Sequence, residues 1–332
     1  MVRYGTIGSG WIVDAFIAGA QQGAPQLEHR AVYSRSRETG EAFARKHGVN
    51  LVFTDLEAMA ASDQIDAVYI ASPNAFHYSQ AKLFLEHGKH VLCEKTCVVN
   101  SAQMKELCRL ADQNGVVFME AIKFMHLPER MILREALAFV GPVHLARFDF
   151  SRYSSKFPQY LAGQCPNIFN PKMAAGCLMD MGIYSVFPAV HLFGLPRRVS
   201  ASAVMLRTGA DGAGAALLEY PDKVACLSYS KMSDAHLDNV IQGEKGVLHI
   251  RTIEHLNEID LHHNDGRVET IARRDESRLP MSYEAYDFGR FADDPNGTWK
   301  EHHWFREQSV RNLAVMDQIR QSAGIRFDAD QL

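Results

Sequence analysis

The chain has 332 residues, which exceeds the usual size of one hydrophobic core, so two domains are expected. It is 47% hydrophobic and 22% charged, and its formal net charge of −4 comes without a basic block that would suggest nucleic acid. The first residues lack the features of a secretory signal, and no window approaches the ~20 apolar residues of a membrane span, which predicts a cytoplasmic protein without membrane or nucleic-acid partners.

Short apolar runs alternate with helical patterns from residue 2 to about residue 120. The predicted strands are 2–7, 29–33, 50–53, 67–71, 90–93 and 116–119. The clearest predicted helices are 37–46, 75–86 and 101–114. Such alternation with short connections is typical of a parallel sheet covered by helices on both faces. We therefore predict an N-terminal α/β domain with a doubly wound parallel sheet of the Rossmann type.

The turn after the first predicted strand contains two glycines, Gly8 and Gly10, followed by Trp11 and Ile12 at the start of a helical pattern. The first glycine permits a tight turn, and the second lets the backbone approach a pyrophosphate at the helix N-terminus. Val13 occupies the third slot, where Gly or Ala is usual. The strand-turn-helix context favours dinucleotide binding by these residues over an ordinary tight turn. A methyltransferase, which binds adenosine beside a similar turn, remains the alternative.

The end of the second predicted strand indicates which dinucleotide is bound. NAD-preferring domains place Asp or Glu there to hold the ribose hydroxyls, whereas this chain has Ser34 and Arg35. The Arg35 guanidinium and the Ser34 hydroxyl suit a 2′-phosphate, with Arg37 adding charge. The alternative is that both arginines are solvated residues at a helix start. We predict NADP(H) as the preferred cofactor, with NAD(H) possible.

Three further motifs carry a family resemblance. Residues 66–77 read DAVYIASPNAFH, residues 88–95 read GKHVLCEK, and residues 176–184 read GCLMDMGIY. In this order, and after the N-terminal glycine turn, they resemble the motifs DAVYIATPNxxH, GKHVLxEKP and GGxLxDxGxH/Y of the glucose–fructose oxidoreductase / inositol dehydrogenase / MocA family. The resemblance spans nearly the whole chain, although residues beyond about 200 match only by general pattern.

The resemblance implies a role for a charged pair, Glu94 and Lys95, that follows a buried-looking strand. Without it, the pair would be interpreted as a solvated loop. In the family, the matching lysine lies near the nicotinamide and the reacting hydroxyl, where an ammonium stabilises developing alkoxide charge. Glu94 matches its neighbour at the cofactor. Thr96 stands where the family has proline, and its effect on the fit of the cofactor is open.

Asp180 and Tyr184 are four residues apart and would share one face of a helix. The resemblance implies that Asp180 holds substrate hydroxyls or Lys95 and that Tyr184 is the acid/base, with a neighbouring cation lowering its pKa. Local pairing of Asp180 and simple packing of Tyr184 are the alternative. Tyrosine at this position is similar to the dihydrodiol dehydrogenase and xylose dehydrogenase branch.

For the turn within the 66–77 motif, the resemblance implies cofactor contacts near the nicotinamide from Ser72, Pro73, Asn74 and His77. A structural histidine explains His77 nearly as well. Weaker candidates are residues that match a family position or line a predicted border of the site, each with a structural alternative: Glu120, His126, Arg130, Tyr153, Phe157 and Tyr160. His262–His263 and His302–His303 lack spaced carboxylates or cysteines nearby, so no metal is predicted. The six cysteines show no regular spacing and are expected to be reduced.

Beyond about residue 122 the pattern changes to successive strands. They are predicted at 143–150, 198–205, 215–220, 224–229, 239–243, 247–251 and 258–262, with helices at 129–137 and 180–193 and a final helix at 304–322 that packs near the domain junction. Adjacent strands without helices between them predict a large, open, mostly antiparallel sheet. The resemblance implies that this sheet pairs chains into homodimers or homotetramers. We therefore predict a dinucleotide-binding domain at 1–122 and a substrate-binding and oligomerisation domain of the α+β class at 123–332.

Together these observations predict an NADP(H)-dependent oxidoreductase. It would transfer hydride between nicotinamide and a secondary alcohol or carbonyl of a sugar, polyol or cyclic diol, with Lys95, Tyr184 and Asp180 as catalytic residues. One alternative is a non-catalytic sensor of NADP(H) redox state, for which Val13 and Thr96 would mark lost catalysis. Another is an enzyme that shuttles between two sugars without releasing its cofactor.

Overall fold

The computed structural model describes residues 1–331, which form two compact units. The first comprises Met1–Val98, Ala102–Lys123 and Glu276–Ser309. The second comprises Val99–Ser101, Phe124–Asp275 and the residues from Val310 onward. The first long break therefore lies close to the predicted division after residue 122, but residues 276–309 belong to the first unit and not to the second.

The first unit contains a six-stranded parallel sheet. Its strands are β1 (Val2–Ile7), β2 (Leu27–Tyr33), β3 (Leu51–Phe53), β4 (Ala67–Ile70), β5 (His90–Glu94) and β6 (Phe118–Ala121). They lie in the order β3-β2-β1-β4-β5-β6, which is the doubly wound Rossmann order. The register pairs Ile7 with both Tyr33 and Ile70, and Ile70 with Cys93, so these strands end at one edge. The predicted fold of this part is confirmed.

The helices of the chain, in order, are α1 (Trp11–Gly23), α2 (Arg37–Lys46), α3 (Leu56–Ala60), α4 (His77–Glu86), α5 (Ser101–Asn114), α6 (Lys123–His126), α7 (Glu129–Val140), α8 (Phe157–Leu161), α9 (Ile183–Phe193), α10 (Pro280–Asp293) and α11 (Trp299–Ala323). Short 3-10 turns cover Asn74–Phe76, Asn167–Phe169, Pro171–Met173 and Asp328–Gln331, and a π turn covers Leu178–Gly182. Helix α10 was not among the predicted elements, because no element was assigned between the last predicted strand at 258–262 and the final helix at 304–322. Its signal was present, since proline occupies its first turn and apolar residues recur at helical spacing.

The core of the first unit explains why α10 belongs there. Phe16 of α1 stacks on Tyr69 of β4 with ring centroids 3.9 Å apart. Gly19 faces the start of α10 so closely that a Cβ atom would lie 2.8 Å from the carbonyl carbon of Met281. Any larger residue at Gly19 would push the two helices apart. Contact at this distance fixes α10 against α1 as part of the same packed layer.

The second unit contains an eight-stranded sheet. Its strands are β7 (Val143–Ser151), β8 (Arg198–Met205), β9 (Asp211–Glu219), β10 (Val224–Ser230), β11 (Asn239–Gly243), β12 (Gly246–Arg251), β13 (Glu258–His263) and β14 (Val268–Arg273). They lie in the order β14-β13-β12-β11-β7-β10-β9-β8, and every pair is antiparallel except β7 with β10. The predicted open, mostly antiparallel sheet is confirmed, and β14 is an additional strand.

One segment of the second unit contradicts the prediction that no part of the chain is long and apolar enough to span a membrane. Pro171–Phe193 is long enough and, with a mean hydropathy of 1.4, apolar enough to cross a membrane by length and composition alone. However, 83% of that window is buried inside the protein. The core helix of a soluble protein passes the same test, so the segment is weak evidence for a membrane span.

Candidate functional site

The glycine turn lies between β1 and α1, as predicted. Gly8 has φ +117°, and a Cβ atom there would lie 2.7 Å from the carbonyl oxygen of Ala71. Gly10 is the N-cap of α1, and in residues 1–331 no heavy atom outside this helix start and the neighbouring residues lies within 4 Å of the position that its Cβ would take. In the described part of the chain, no side chain caps this helix, so its first amides face open space. This is the open, electropositive backbone that a pyrophosphate group requires.

Val13, the residue in the third slot, is fully buried in the core of the first unit. Its amide donates a 3.0 Å hydrogen bond to the carbonyl oxygen of Gly10. The larger side chain is therefore accommodated inside the fold and leaves the turn intact. The neighbouring Trp11 is 76% exposed, whereas Ile12 is half-buried against the core.

Ser34 and Arg35 follow β2 at the same sheet edge as the glycine turn. The Ser34 hydroxyl lies 2.7 Å from the Thr39 hydroxyl and accepts a 3.3 Å hydrogen bond from the Ser36 amide. Ser36 also caps α2 by accepting from the Thr39 amide. Arg35 is exposed. A hydroxyl pair beside an exposed guanidinium suits a phosphate, and Thr39 is a member of this pair that sequence reasoning missed.

His77 connects two of the predicted cofactor loops. It is fully buried, and its ring nitrogens lie 2.7 Å from the carbonyl oxygen of Ser72 and 3.1 Å from that of Thr96. Both ring nitrogens are used by the backbone, as the structural alternative implies, and a cofactor contact of His77 stays a prediction. The ring holds the turn of Ser72, Pro73 and Asn74 against the segment after β5, and Ser72 is further fixed by a 2.7 Å bond to Gln80.

Glu94 and Lys95 form the end of β5 and the residue after it. The Glu94 carboxylate is buried and accepts a 2.6 Å hydrogen bond from the Tyr69 hydroxyl and a 3.2 Å bond from the Lys95 amide. Burial raises the pKa of Glu94, against the opposing effects of Tyr69 and Lys95. Lys95 is half-buried, and its peptide bond to Thr96 is cis. The pair is therefore no solvated loop, because its glutamate belongs to the interior.

Two more buried carboxyl groups lie in the first unit. Glu120 on β6 accepts a 2.9 Å hydrogen bond from the Cys97 amide, and burial raises the pKa of Glu120 to about 7. Glu284 on α10 is fully buried, and burial followed by the charge of Glu94 raises its pKa well above the ordinary value. Sequence reasoning missed Glu284 because it gave no helix to that region. Burial therefore raises the pKa of three carboxyl groups in this unit, those of Glu94, Glu120 and Glu284.

The second unit holds the segment from Gly176 to Tyr184. Its first part is the π turn, where hydrogen bonds run from residue i to i+5, so the α-helical spacing used to relate Asp180 to Tyr184 does not apply there. Asp211 accepts a 2.7 Å hydrogen bond from the Leu178 amide at the start of this turn. A Cβ atom on Gly176 would lie 1.9 Å from a carboxylate oxygen of Asp211, which explains why glycine is needed there.

Asp180 and Tyr184 each have an identified neighbour in this unit. A carboxylate oxygen of Asp180 lies 2.8 Å from the ammonium of Lys231, a partner that the sequence analysis did not identify. The Tyr184 ring packs edge-on against Phe150 with centroids 5.2 Å apart, and its residue is 5% exposed. A lysine directly after a strand is typical of a surface position, which is why Lys231 was overlooked.

The weaker candidates lie in an aromatic group or are buried. Tyr153, Phe157 and Tyr160 form a continuous aromatic group, with ring centroids 5.6 Å apart for the first pair and 5.5 Å for the second. Arg130 lies 3.3 Å from a ring nitrogen of His191, and both are buried. His126 is buried as well.

The paired histidines and the cysteines have other surroundings. His303 lies 2.9 Å from Asp112 and stacks on Trp299, and His262 packs on His249. Among residues 1–331 no three His, Cys, Asp or Glu side chains are grouped to hold a metal ion, and the six cysteines there are free thiols.

Comparison with known families and proteins gives consistent matches. A family model described as "Oxidoreductase family, NAD-binding Rossmann fold" matches residues 2–122, and one described as "GFO/IDH/MocA C-terminal domain" matches residues 133–249. The chain is 41% identical over 331 residues to the scyllo-inositol 2-dehydrogenase (NADP(+)) IolU of Bacillus subtilis, covering 100% of each chain. It is 30% identical to the trans-1,2-dihydrobenzene-1,2-diol dehydrogenase of Mus musculus, covering 76% of this chain and 75% of that one.

A solved structure shows the same fold. The crystal structure of KijD10, a 3-ketoreductase from Actinomadura kijaniata in complex with NADP and TDP-benzene, superimposes with a TM-score of 0.82. The match covers 97% of this chain and 98% of that chain at 22% identity.

Proposed function

The chain belongs to the GFO/IDH/MocA oxidoreductase family, and from this premise we propose that it is an NADP(H)-dependent dehydrogenase of cyclic polyols, sugars or cyclic diols. One observation carries the proposal. The glycine turn, the Ser72 turn and Lys95 follow the carboxyl ends of β1, β4 and β5, three neighbouring parallel strands. Ligands of doubly wound sheets bind at this edge, where the strand order reverses.

We propose NADP(H) as the cofactor. The open backbone at Gly10 fits a pyrophosphate, and the Ser34 and Thr39 hydroxyls beside Arg35 suit a 2′-phosphate. The 41% identical relative is named as an NADP(+)-dependent enzyme, which supports the same choice. When bound, the nicotinamide supplies the hydride chemistry, and the protein supplies position and charge.

The chain's own residues would act on the substrate hydroxyl. The Lys95 ammonium would donate a hydrogen bond to the reacting oxygen and stabilise its alkoxide character. The Tyr184 phenolate would take the hydroxyl proton during oxidation, and the phenol so formed would return it during reduction. The Asp180 carboxylate would accept hydrogen bonds from substrate hydroxyls and so orient the ring. The relatives named for an inositol and for a cyclic diol support a substrate that carries neighbouring hydroxyl groups.

The remaining parts of the proposal concern organisation. We propose that the first unit binds the dinucleotide and that the second unit binds the substrate and forms a cytoplasmic homodimer or homotetramer through its eight-stranded sheet. On that sheet, Ala225, Leu227 and Tyr229 of β10 are buried, whereas Leu217 of β9 is 37% exposed on the other face, beside Cys226 in the register. An open face with apolar residues supports pairing of this kind.

The test is turnover by the purified protein with NADP⁺ or NAD⁺ and a panel of sugars, polyols and cyclic diols, followed by absorbance of reduced nicotinamide. We expect oxidation of a cyclic polyol with NADP⁺. Lys95→Ala should lower kcat about 10²- to 10³-fold, the effect of losing one donor to a developing oxyanion. Lys105→Ala, an exposed lysine of the same unit, is the matched control and should leave turnover unchanged.

Cofactor binding separates the other outcomes. Lys95→Ala should bind NADPH as wild type does, measured by fluorescence titration, because its defect lies in chemistry. Turnover with NAD⁺ alone would contradict the phosphate site. Tight NADPH binding without turnover of any substrate would contradict the dehydrogenase and indicate a redox sensor. NADP(H) that stays bound through purification and exchanges hydride between two sugars would indicate the shuttling enzyme.

A further inference from the structure

Lys231 is a fully buried lysine directly after β10. Its backbone is fixed on both sides: its amide donates a 2.9 Å hydrogen bond to the carbonyl oxygen of Gly212, and its own carbonyl oxygen accepts a 2.9 Å bond from the Ser154 amide. The side chain therefore leaves a rigid backbone. Lysine is rarely buried without a charged partner, because removing an ammonium from water costs several kcal/mol.

The Lys231 ammonium has partners from two other segments. It lies 2.8 Å from a carboxylate oxygen of Asp180 in the π turn. It donates a 3.2 Å hydrogen bond to the carbonyl oxygen of Ile168 and lies 5.4 Å from the centroid of the Phe169 ring. One cation thus connects the π turn to the 3-10 turn Asn167–Phe169. These contacts explain how the charge is tolerated in the interior.

The two members of the ion pair differ in exposure. The Lys231 side chain is 0% exposed, whereas the Asp180 side chain is 39% exposed. A substrate can therefore reach the carboxylate but cannot reach the ammonium. We propose that Lys231 is a positioning residue that holds the Asp180 carboxylate, charged and fixed in direction, to receive a second hydroxyl group of the substrate. This inference rests on the proposed function, in which Asp180 orients the substrate.

The arrangement has a consequence for the class of substrate. A carboxylate that is paired with a cation accepts hydrogen bonds and cannot donate one, so it favours ligands that present a hydroxyl donor. A substrate whose reacting carbon has a hydroxyl-bearing neighbour gains this bond, and a simple cyclic alcohol does not. Loss of Lys231 should therefore weaken the binding of polyols selectively.

The first experiment compares Lys231→Met with the wild type, using scyllo-inositol as the polyol and cyclohexanol as the simple alcohol. Methionine keeps the volume and removes the charge. We expect the KM for the polyol to rise about tenfold to a hundredfold, with a smaller change in kcat, as a misplaced orienting group produces. The KM for NADP⁺ and the kcat/KM for cyclohexanol should not change. Lys245→Met, at an exposed lysine in the turn between β11 and β12, is the matched control.

The second experiment covers the case in which Lys231→Met does not fold. Asp180→Asn leaves a buried ammonium without its carboxylate, so its denaturation midpoint should fall, and Lys231→Met/Asp180→Asn should recover stability. If Lys231 acts through Asp180, the double variant and Asp180→Asn will have the same kcat/KM for the polyol. A further loss in the double variant would overturn the positioning role.

The failures are distinguishable. Turnover of the polyol by the wild type with an unchanged KM in Lys231→Met would overturn this inference alone. An equal loss for polyol and cyclohexanol would also overturn it, since that result indicates a general structural defect. A wild-type protein that oxidises no polyol, sugar or diol would overturn the proposed function and this inference with it.

Discussion

The cofactor edge of the first unit and the Gly176–Tyr184 segment of the second are built by different means. At the cofactor edge, backbone groups are exposed by glycines, and the turn at Ser72 is held by hydrogen bonds to backbone carbonyls. In the second unit, side-chain charges fix the segment. Asp211 binds the Leu178 amide and Lys231 binds Asp180, and both partners come from later parts of the chain.

The difference shows which kind of site can be recognised in a sequence. A backbone site needs particular residues at adjacent positions, because φ and close approach are local properties. A site held by buried charges needs partners that only tertiary packing brings near. The predictions below test each side of this contrast.

The largest effect is expected for Tyr184→Phe, which tests the Gly176–Tyr184 segment of the second unit. Phenylalanine keeps the edge-on contact with Phe150 and removes only the hydroxyl. We expect kcat to fall about 10³-fold, within the range for loss of a general acid/base. Tyr220→Phe is the control, since its hydroxyl bonds the carbonyl oxygen of Gly194. Steady-state kinetics with equal rates for Tyr184→Phe and wild type would remove Tyr184 from the chemistry.

The next largest effect is a change of stability with pH. It arises because the first unit, like the second, buries ionisable side chains. Burial raises the pKa of Glu120 to about 7 from 4.5. A carboxyl whose pKa is higher in the folded state contributes stability that is fully present below pH 4.5 and is lost as pH rises through about 7. In Glu120→Gln, the fall in the free energy of unfolding with rising pH should be smaller by roughly 3 kcal/mol.

Urea denaturation at several values between pH 4.5 and pH 8 measures this effect. The free energy of unfolding of the wild type should fall with rising pH, and the fall should be smaller in Glu120→Gln. The remaining slope would belong to Glu94 and Glu284, whose pKa values are also raised by burial. Glu86→Gln, an exposed residue of the same unit, should retain the full slope. Identical slopes for wild type and Glu120→Gln would show that Glu120 is charged in the folded protein.

The two glycines of the cofactor turn give a sharper test of the cofactor edge of the first unit, where backbone groups form the site. The methyl group of Gly10→Ala would meet no atom of residues 1–331 within 4 Å apart from the adjoining backbone, so stability should not change, but it would obstruct a bound pyrophosphate. We expect NADPH affinity to fall about thirtyfold, or ~2 kcal/mol. Gly8→Ala, with φ +117° and a contact of 2.7 Å to Ala71, should instead lower the free energy of unfolding by about 2 kcal/mol. Equal NADPH affinity for Gly10→Ala and wild type would move the pyrophosphate away from this turn.

The smallest effect is expected for Arg35→Ala, because an exposed guanidinium contributes about 1 kcal/mol. The KM for NADP⁺ should rise about threefold to tenfold. The KM for NAD⁺ should stay constant, since NAD⁺ has no 2′-phosphate. Arg45→Ala, at the other end of α2, is the control. A parallel rise for both cofactors would assign Arg35 to the shared part of the dinucleotide.

Much of the fold was predictable because its signals are periodic and local. Helices 37–46 and 101–114 and strands 198–205 and 239–243 have the predicted bounds. The doubly wound parallel sheet was predicted from the alternation of strands and helices and the glycine turn after the first strand, whereas its strand order is known only from the structure. Helix α10 and strand β14 were missed. The residues of α10 have helical spacing, but the place of this helix in the first unit depends on contact with a distant segment, Gly19 against Met281.

The candidate site divides in the same way. The glycine turn, the Ser34–Arg35 pair and the Lys95 motif could be predicted as site residues from the sequence alone, because each is a run of neighbours whose chemistry is set by residue type and order. Only the tertiary structure decided that His77 is buried between two loops, that Glu94 belongs to the interior and that Lys231 lies against Asp180. Burial and pairing of a charge depend on which distant segments exclude water around it, and residue type alone does not specify those neighbours.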